Sequence, residues 1–191
     1  AMTGTFTEDA WLSISVPAGV PHDVYTENQA PRIMQPVNDT DFEIEVKFES
    51  GLSGDHQAQG ILVEQDSDNF MRFDFHSWGS DTRIFAASTT NGAFHVRLDS
   101  TRIADTNVAP LYMHVKRMGD LWTQSYSYDG LDWTPSGSFT HSLTVASVGA
   151  FVANSSSSPP AHTGHIDYFF NSVSPIVLED GDRNELTVDT V

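Results

Sequence analysis

Short runs in which apolar and polar residues alternate follow one another along most of this chain, each closed off by Gly, Asn, Asp, Ser or Pro. The clearest are "WLSISV", "DFEIEVKFE", "QGILVEQ", "FMRFDFH", "TRIFAAS", "AFHVRL", "LYMHVKR", "LWTQSYSY", "SVGAFVA" and "HIDYFF". A period of two sends successive side chains to opposite faces of an extended strand, so each run can bury one face and show the other. No stretch sustains an amphipathic helical period beyond two turns. Ten or more such strands in about 170 residues predict an all-β fold, a sandwich or a barrel. No internal repeat of fixed period occurs.

The run from Asn69 to Phe85, "NFMRFDFHSWGSDTRIF", carries the most information. Met71, Phe73 and Phe75 fall on one side and form a core face. Phe70, Arg72, Asp74, His76 and Trp78 fall on the other, which is neither a plain solvated face nor a second apolar one.

A chain of 191 residues is read as a single sandwich domain over residues 1–174, long enough to bury roughly 70% of its unfolded surface. Its core then needs neither metal nor disulfide, and with no cysteine it has no disulfide, which leaves the compartment open. No run of 18 apolar residues is present, so no membrane insertion is expected. Nine Lys and Arg stand against 26 Asp and Glu, a formal charge of −17. That balance argues against nucleic acid and anionic membranes, both of which call for a basic footprint. The opening "AMTG" reads as a cloning remnant, so nothing about export follows from it. "SSSSPP" (155–160) reads as a loop, of a kind that can also rim a binding site. Residues 175–191 read as an acidic linker, "EDGDRN", and the first strand of a following module, so the chain is expected to be a piece of a larger protein.

Signals for catalysis are weak. Glycoside hydrolysis needs two carboxylates about 5–5.5 Å or 6.5–9.5 Å apart. "DFEIEVKFE" puts Glu43, Glu45, Lys47 and Glu49 on one face, but the lysine breaks the acidic triplet such enzymes carry on a strand, and a solvated face explains the acids equally. There is no G-x-S-x-G elbow and no thiol nucleophile. The domain is therefore expected not to be an enzyme. His162 and His165, three apart on a strand, point to opposite faces and do not suggest zinc. If the terminal strands pair, Asp9 and Asp167 come close enough to hold a structural calcium ion; surface acids are the alternative reading. In "WTQSYSYDGLDWT", Asp129-Gly130 marks a hairpin turn. Trp122, Gln124, Tyr126 and Tyr128 share a face there, as a sugar-stacking platform would, while Trp133 reads as packing over the turn.

The blocks "SVPAGVPHDVY", "NQAPRIMQPV", "DFEIEVKFES", "QGILVEQDSDNFMRFDF" and "SYSYDGLDWT" resemble, in order, a bacterial family of concanavalin A-like domains of unknown function. That family includes the regulator-of-enolase protein of yeast and is akin to laminin G domains and carbohydrate-binding modules. The resemblance covers about residues 11–174. It implies a concanavalin A-like jelly-roll sandwich of two curved antiparallel sheets, extracellular and joined to carbohydrate-active or adhesive modules. Relatives often begin with an acidic-Phe strand, here expected to be shortened or missing. His22, Asp23, Pro31 and Arg32 match family blocks and read as residues that lock loop geometry.

In such a sandwich the outward set on the Asn69–Trp78 run faces a groove on the concave sheet or, failing that, a salt-bridged outer surface. Arg72, Asp74, His76, Trp78, Arg83 and Tyr126 are the candidate carbohydrate-binding residues, with His95, Arg97, His114, Lys116 and Gln124 as possible additions to that face. Trp78 would stack on a sugar while Arg72, Asp74, His76 and Arg83 bond its hydroxyls. The expected function is a non-catalytic carbohydrate-binding module of a larger secreted protein, a monomer whose partner is a polysaccharide. The alternatives are a spacer domain without a glycan site, or a hydrolase pairing Asp74 with Glu43 or Glu45.

Overall fold

A computed structural model describes residues 2–5, 8–25 and 28–172, with side chains from Trp11 onward. The expected linker and following strand at 175–191 lie outside the described residues. Among the described residues thirteen strands stack as two antiparallel sheets, a β-sandwich, one of the two all-β forms that the alternation predicts and the one that the resemblance implies. The first sheet contains β1 (Met2–Thr5), β2 (Glu8–Val16), β13 (His162–Asn171), β4 (Phe42–Phe48), β9 (Leu111–Met118), β10 (Leu121–Ser127) and β11 (Thr134–Thr140), in that spatial order. The second runs β3 (Arg32–Pro36), β12 (Ser147–Asn154), β5 (Gln57–Asp66), β6 (Asn69–Trp78), β7 (Asp81–Thr90) and β8 (Ala93–Asp105).

All ten runs quoted above lie on strands. The terminal strands do pair, with Ile166 opposite Leu12 and His162 opposite Val16. The leading edge strand is present but only four residues long. β11, "TPSGSFT", escapes the period-two signal because it is polar and interrupted by Gly137, next to a register shift opposite Gln124 and Ser125.

One face of each sheet meets the other in the core. Ile44, Val46, Phe48, Met113, Val115 and Trp122 come from the seven-stranded sheet, and Ile61, Val63, Met71, Phe73, Phe75, Ile84 and Val152 from the six-stranded one. Phe73 lies against both Trp122 and Phe139, with ring centroids 6.1 and 5.9 Å apart. Two glutamines stitch the sheets together where apolar packing alone would leave polar backbone unmatched. Gln124 on β10 donates from Nε2 to the Phe85 carbonyl at 3.2 Å. Gln59 on β5 donates to the Ser50 carbonyl, while its Oε1 accepts from Ser50 Oγ at 2.7 Å and from His162 Nε2 at 3.2 Å.

Two predictions follow from this packing. A Cβ on Gly60 would stand 2.0 Å from the Phe73 carbonyl oxygen and 2.7 Å from Asp74 Cα, both backbone atoms of the neighbouring strand. Gly60→Ala should therefore pry β5 from β6 and lower unfolding free energy by at least about 2 kcal/mol in urea titration. His162 is buried, and burial first, then the nearby His165, pull its pKa from 6.5 to about 4. The unfolded chain then binds a proton that the folded one refuses, so this stabilisation is complete above pH 6.5 and lost as pH falls toward about 4. The slope between those limits should approach about 1.4 kcal/mol per pH unit, and His162→Gln should flatten it in urea melts taken across that window.

Candidate functional site

The residues set opposite the core face of β6 form a site. Asp74 lies at the centre of the outer face of the six-stranded sheet, flanked in register by Gly60 on β5 and Phe85 on β7. It is wholly buried, yet Arg72 Nε donates to its Oδ2 at 2.7 Å and His76 Nδ1 lies 3.1 Å from its Oδ1. Burial alone would raise the Asp74 pKa; the charge of Arg72, with hydrogen bonds from His76 and Arg72, outweighs it and holds the carboxyl below its ordinary value. An ionised Asp74 fixes the proton of His76 on Nδ1, which leaves Nε2 free to accept. That nitrogen lies 2.9 Å from Ser100 Oγ on β8. Phe85 braces the group from below: the Arg72 guanidinium sits 5.4 Å over its ring, and the His76 ring meets it edge-on.

A cavity of about 410 Å³ opens above this network. Arg72, His76, Ser77, Ser100 and Phe85 line its sheet side, and Gln57, Ala58, Ala153 and Asn154 continue the wall across β5 and β12. Trp78, 61% exposed, stands at one side with His56 packed edge-on against it at 5.8 Å. Tyr25, 50% exposed, stands within the same lining and rests on Phe94, which stacks in turn on Phe85. The loops around the cavity are tied to the sheet. Asn154 accepts from the His22 amide and donates to the carbonyls of Pro17 and Pro160. Ser77 Oγ donates to the Gly54 carbonyl, and Asp55 accepts from the Gly79 amide at 2.8 Å. Asp23 accepts from the Tyr25 amide, and Arg32 donates to the carbonyls of Asn28 and Ala30 and pairs with Glu64 at 3.1 Å. These contacts fit the loop-locking reading of His22, Asp23 and Arg32. Ser155 and Ser156, from the serine run, do reach the cavity.

Of the six expected binding residues, the structure brings Arg72, Asp74, His76 and Trp78 together. Arg83 sits on the same face, opposite His76 in register, but its guanidinium turns to Asp81 and to the Ser100 carbonyl, and it is not among the residues lining the cavity. Tyr126 is a correction. It belongs to the other sheet and packs against the core, with Tyr128 edge-on beside it. Trp122 and Gln124 are likewise buried, so the expected aromatic platform faces inward, because the core needs this strand's large side chains. Trp133 packs against Tyr112, Tyr168 and Phe170.

The acidic strand β4 presents its polar face on the far side of the sandwich. Glu43 pairs there with His114 and Lys116, and Glu45 accepts from the Tyr168 hydroxyl at 2.8 Å. This corrects two further expectations: His114 and Lys116 do not join the Arg72 face, and Asp74 cannot pair with Glu43 or Glu45 across a whole sandwich. Arg97 also turns elsewhere, donating to Ser88 Oγ and contacting His141, and His95 lies opposite Ser88 on the core-facing side of β7. Asp167 meets Lys47 rather than an open cation site: Nζ lies 2.7 Å from its Oδ2 and 2.7 Å from Glu49. These two carboxylates outweigh the effect of burial on Lys47 and raise its pKa. The side chain of Asp9 lies outside the described ones. Among the described residues no three acidic or imidazole side chains gather as a metal site.

Sequence reasoning missed Ser100, Tyr25, His56, Phe85 and Asn154. Ser100 was hidden by a β-bulge. Ile84 pairs with Thr101 and Ala86 with Leu98, so Asp99 and Ser100 together oppose Phe85. Strict alternation would put Ser100 on the core side with Leu98; the extra residue turns it outward.

No family model and no curated protein matches the chain. Solved structures do. A variant of the GH43 protein BlXynB from Bacillus licheniformis superposes with a TM-score of 0.66 at 14% identity, over 85% of this chain and 32% of that one. A bifunctional GH43-CE protein of Bacteroides eggerthii gives 0.64 at 12%, over 87% and 22%. A functionally unknown protein from Saccharomyces cerevisiae gives 0.62 at 10%, over 92% of both chains. At such identities the likeness shows the fold alone. This chain spans a third or less of the length of those GH43 chains.

The charge balance of the site generates a stability prediction. Arg72→Met leaves the Asp74 carboxylate buried without its cation and should cost about 3–5 kcal/mol in chemical denaturation. The double substitution Arg72→Met, Asp74→Leu should recover most of that loss, since neither charge then needs compensating.

Proposed function

We propose that this is a carbohydrate-binding domain of a larger secreted protein, a monomer that takes a polysaccharide into the cavity above Arg72, Asp74 and His76. One observation carries the reading: two aromatic side chains, Trp78 and Tyr25, stand open to solvent beside a fixed polar network within a single cavity. Sugar rings present C–H faces that stack on aromatic rings, and hydroxyls that need oriented donors and acceptors. Arg72, His76 and Ser100 provide such groups on rigid strands rather than on mobile loops. Trp78 stands exposed rather than folded onto the sheet, which favours a ligand-binding domain over a spacer. The similar fold of the GH43 chains is in keeping with a glycan role but rests on fold alone.

Affinity electrophoresis against plant, algal and microbial polysaccharides tests the reading. Wild-type protein should be retarded by at least one polymer. Trp78→Ala should weaken that binding about two- to tenfold, because one exposed stacking contact is worth about 0.5–1.5 kcal/mol. Its thermal midpoint should stay within a degree or two of wild type, since a side chain this exposed contributes little packing. No retardation by any polymer would favour the spacer.

A further inference from the structure

Asp74, His76 and Ser100 are joined as a Ser–His–Asp relay, and we propose that the cavity hydrolyses an ester, removing an acyl group from a glycan hydroxyl. This rests on the cavity being the glycan site and adds a reaction to it. The connectivity is that of a serine hydrolase. Ser100 Oγ lies 2.9 Å from His76 Nε2, and His76 Nδ1 lies 3.1 Å from the Asp74 carboxylate. A triad is recognised by geometry and role, whatever the chain order or fold. Each member meets its requirement here. Asp74 is buried and held charged by Arg72, so it can orient the imidazole and stabilise its cation. His76 lies between the acid and the hydroxyl, with its ring braced against Phe85. Ser100 lines the cavity from a β-bulge, a device that re-aims a side chain at the cost of regular pairing.

The reaction balances without a cofactor. Ser100 Oγ attacks the ester carbonyl carbon as its proton passes to His76 Nε2. The tetrahedral oxyanion is met by the guanidinium of Arg72, the fixed cation on the cavity wall. Collapse breaks the bond to the sugar oxygen, which takes the proton from His76 Nε2 and departs as a free hydroxyl, leaving acyl-Ser100. Water then attacks the acyl carbon with His76 as base, releasing a carboxylic acid and restoring Ser100. The size of the cavity suits one substituted sugar ring and a short acyl group, with Trp78 and Tyr25 at the ring faces. Asp74 is a positioning residue in this scheme, and Ser100 and His76 are the catalytic ones.

The test uses wild-type protein and Ser100→Ala, with p-nitrophenyl acetate, with polysaccharides in native and chemically acetylated forms, and with a fluorophosphonate probe. Wild-type protein should release p-nitrophenol and acetate, and should gain one phosphonyl group that peptide mass spectrometry places on Ser100. Ser100→Ala should keep its thermal midpoint within a few degrees, lose phosphonylation, and lose at least about 10³-fold in kcat/KM. Retained polysaccharide binding in Ser100→Ala would separate the two roles of the cavity. Wild-type protein that binds polysaccharide but neither hydrolyses an ester nor takes the probe overturns the proposal and leaves the binding reading standing. Hydrolysis unchanged in Ser100→Ala, or a phosphonyl group on another residue, also overturns it. Ester hydrolysis without retardation by any polysaccharide would keep the triad and remove the glycan.

Discussion

A carboxylate with no exposed surface stays ionised only where fixed positive charge and hydrogen bonds replace the water it has lost. Asp74 imposes that demand on the outer face of the six-stranded sheet, and the local architecture answers it. Gly60 opposite it in register lets the two backbones approach, since any side chain there would collide with Phe73 and Asp74. Arg72 and His76 flank it at a spacing of two along the same strand, the shortest spacing that keeps all three side chains on one face. Phe85 closes the group from the neighbouring strand, and its aromatic face accommodates the guanidinium. An Asp in this position therefore accounts for a glycine, an arginine, a histidine and a phenylalanine on three adjacent strands.

The opposite outer face handles its charges differently. Glu43 with Lys116 and Lys47 with Asp167 form cross-strand pairs, Glu49 joins Lys47 from just past the end of β4, and Tyr112, Tyr168, Phe170 and Trp133 cover the sheet beside them. Positive and negative groups there are matched locally, and the aromatic rings pack on one another. On the six-stranded sheet the aromatic rings of Trp78 and Tyr25 instead remain open beside the cavity. Two sheets built from the same alternating grammar thus present one self-completed face and one incomplete face, and the asymmetry places the site.

Strand content was legible in the sequence because period-two alternation survives wherever a sheet has one buried face. Arg72, Asp74, His76 and Trp78 were legible as a group for the same reason: alternation within one strand needs no knowledge of its neighbours. Features set by pairing between strands were not legible. Tyr126 shares the alternation of a platform strand, but which face of β10 meets the core depends on which strands flank it. Asp167 could be read as a calcium ligand or a surface acid, and its pairing with Lys47 depends on β13 lying beside β4. Ser100 was hidden by the register shift opposite Phe85, one of three that break the parity of β8. Tyr25 arrives through a loop whose course no periodicity records, and Asn154 stands at the end of β12, where pairing with β5 rather than alternation sets its place.

The four tryptophans divide by environment. Trp122 is sealed in the core, Trp11 and Trp133 are half-covered, and Trp78 alone stands in water beside the cavity. Indole emission shifts to longer wavelength as its surroundings become more polar, so the red edge of this protein's fluorescence belongs to the site and the blue edge to the sandwich interior. Occupancy of the cavity and integrity of the fold are therefore written in separate parts of one spectrum, with no label attached.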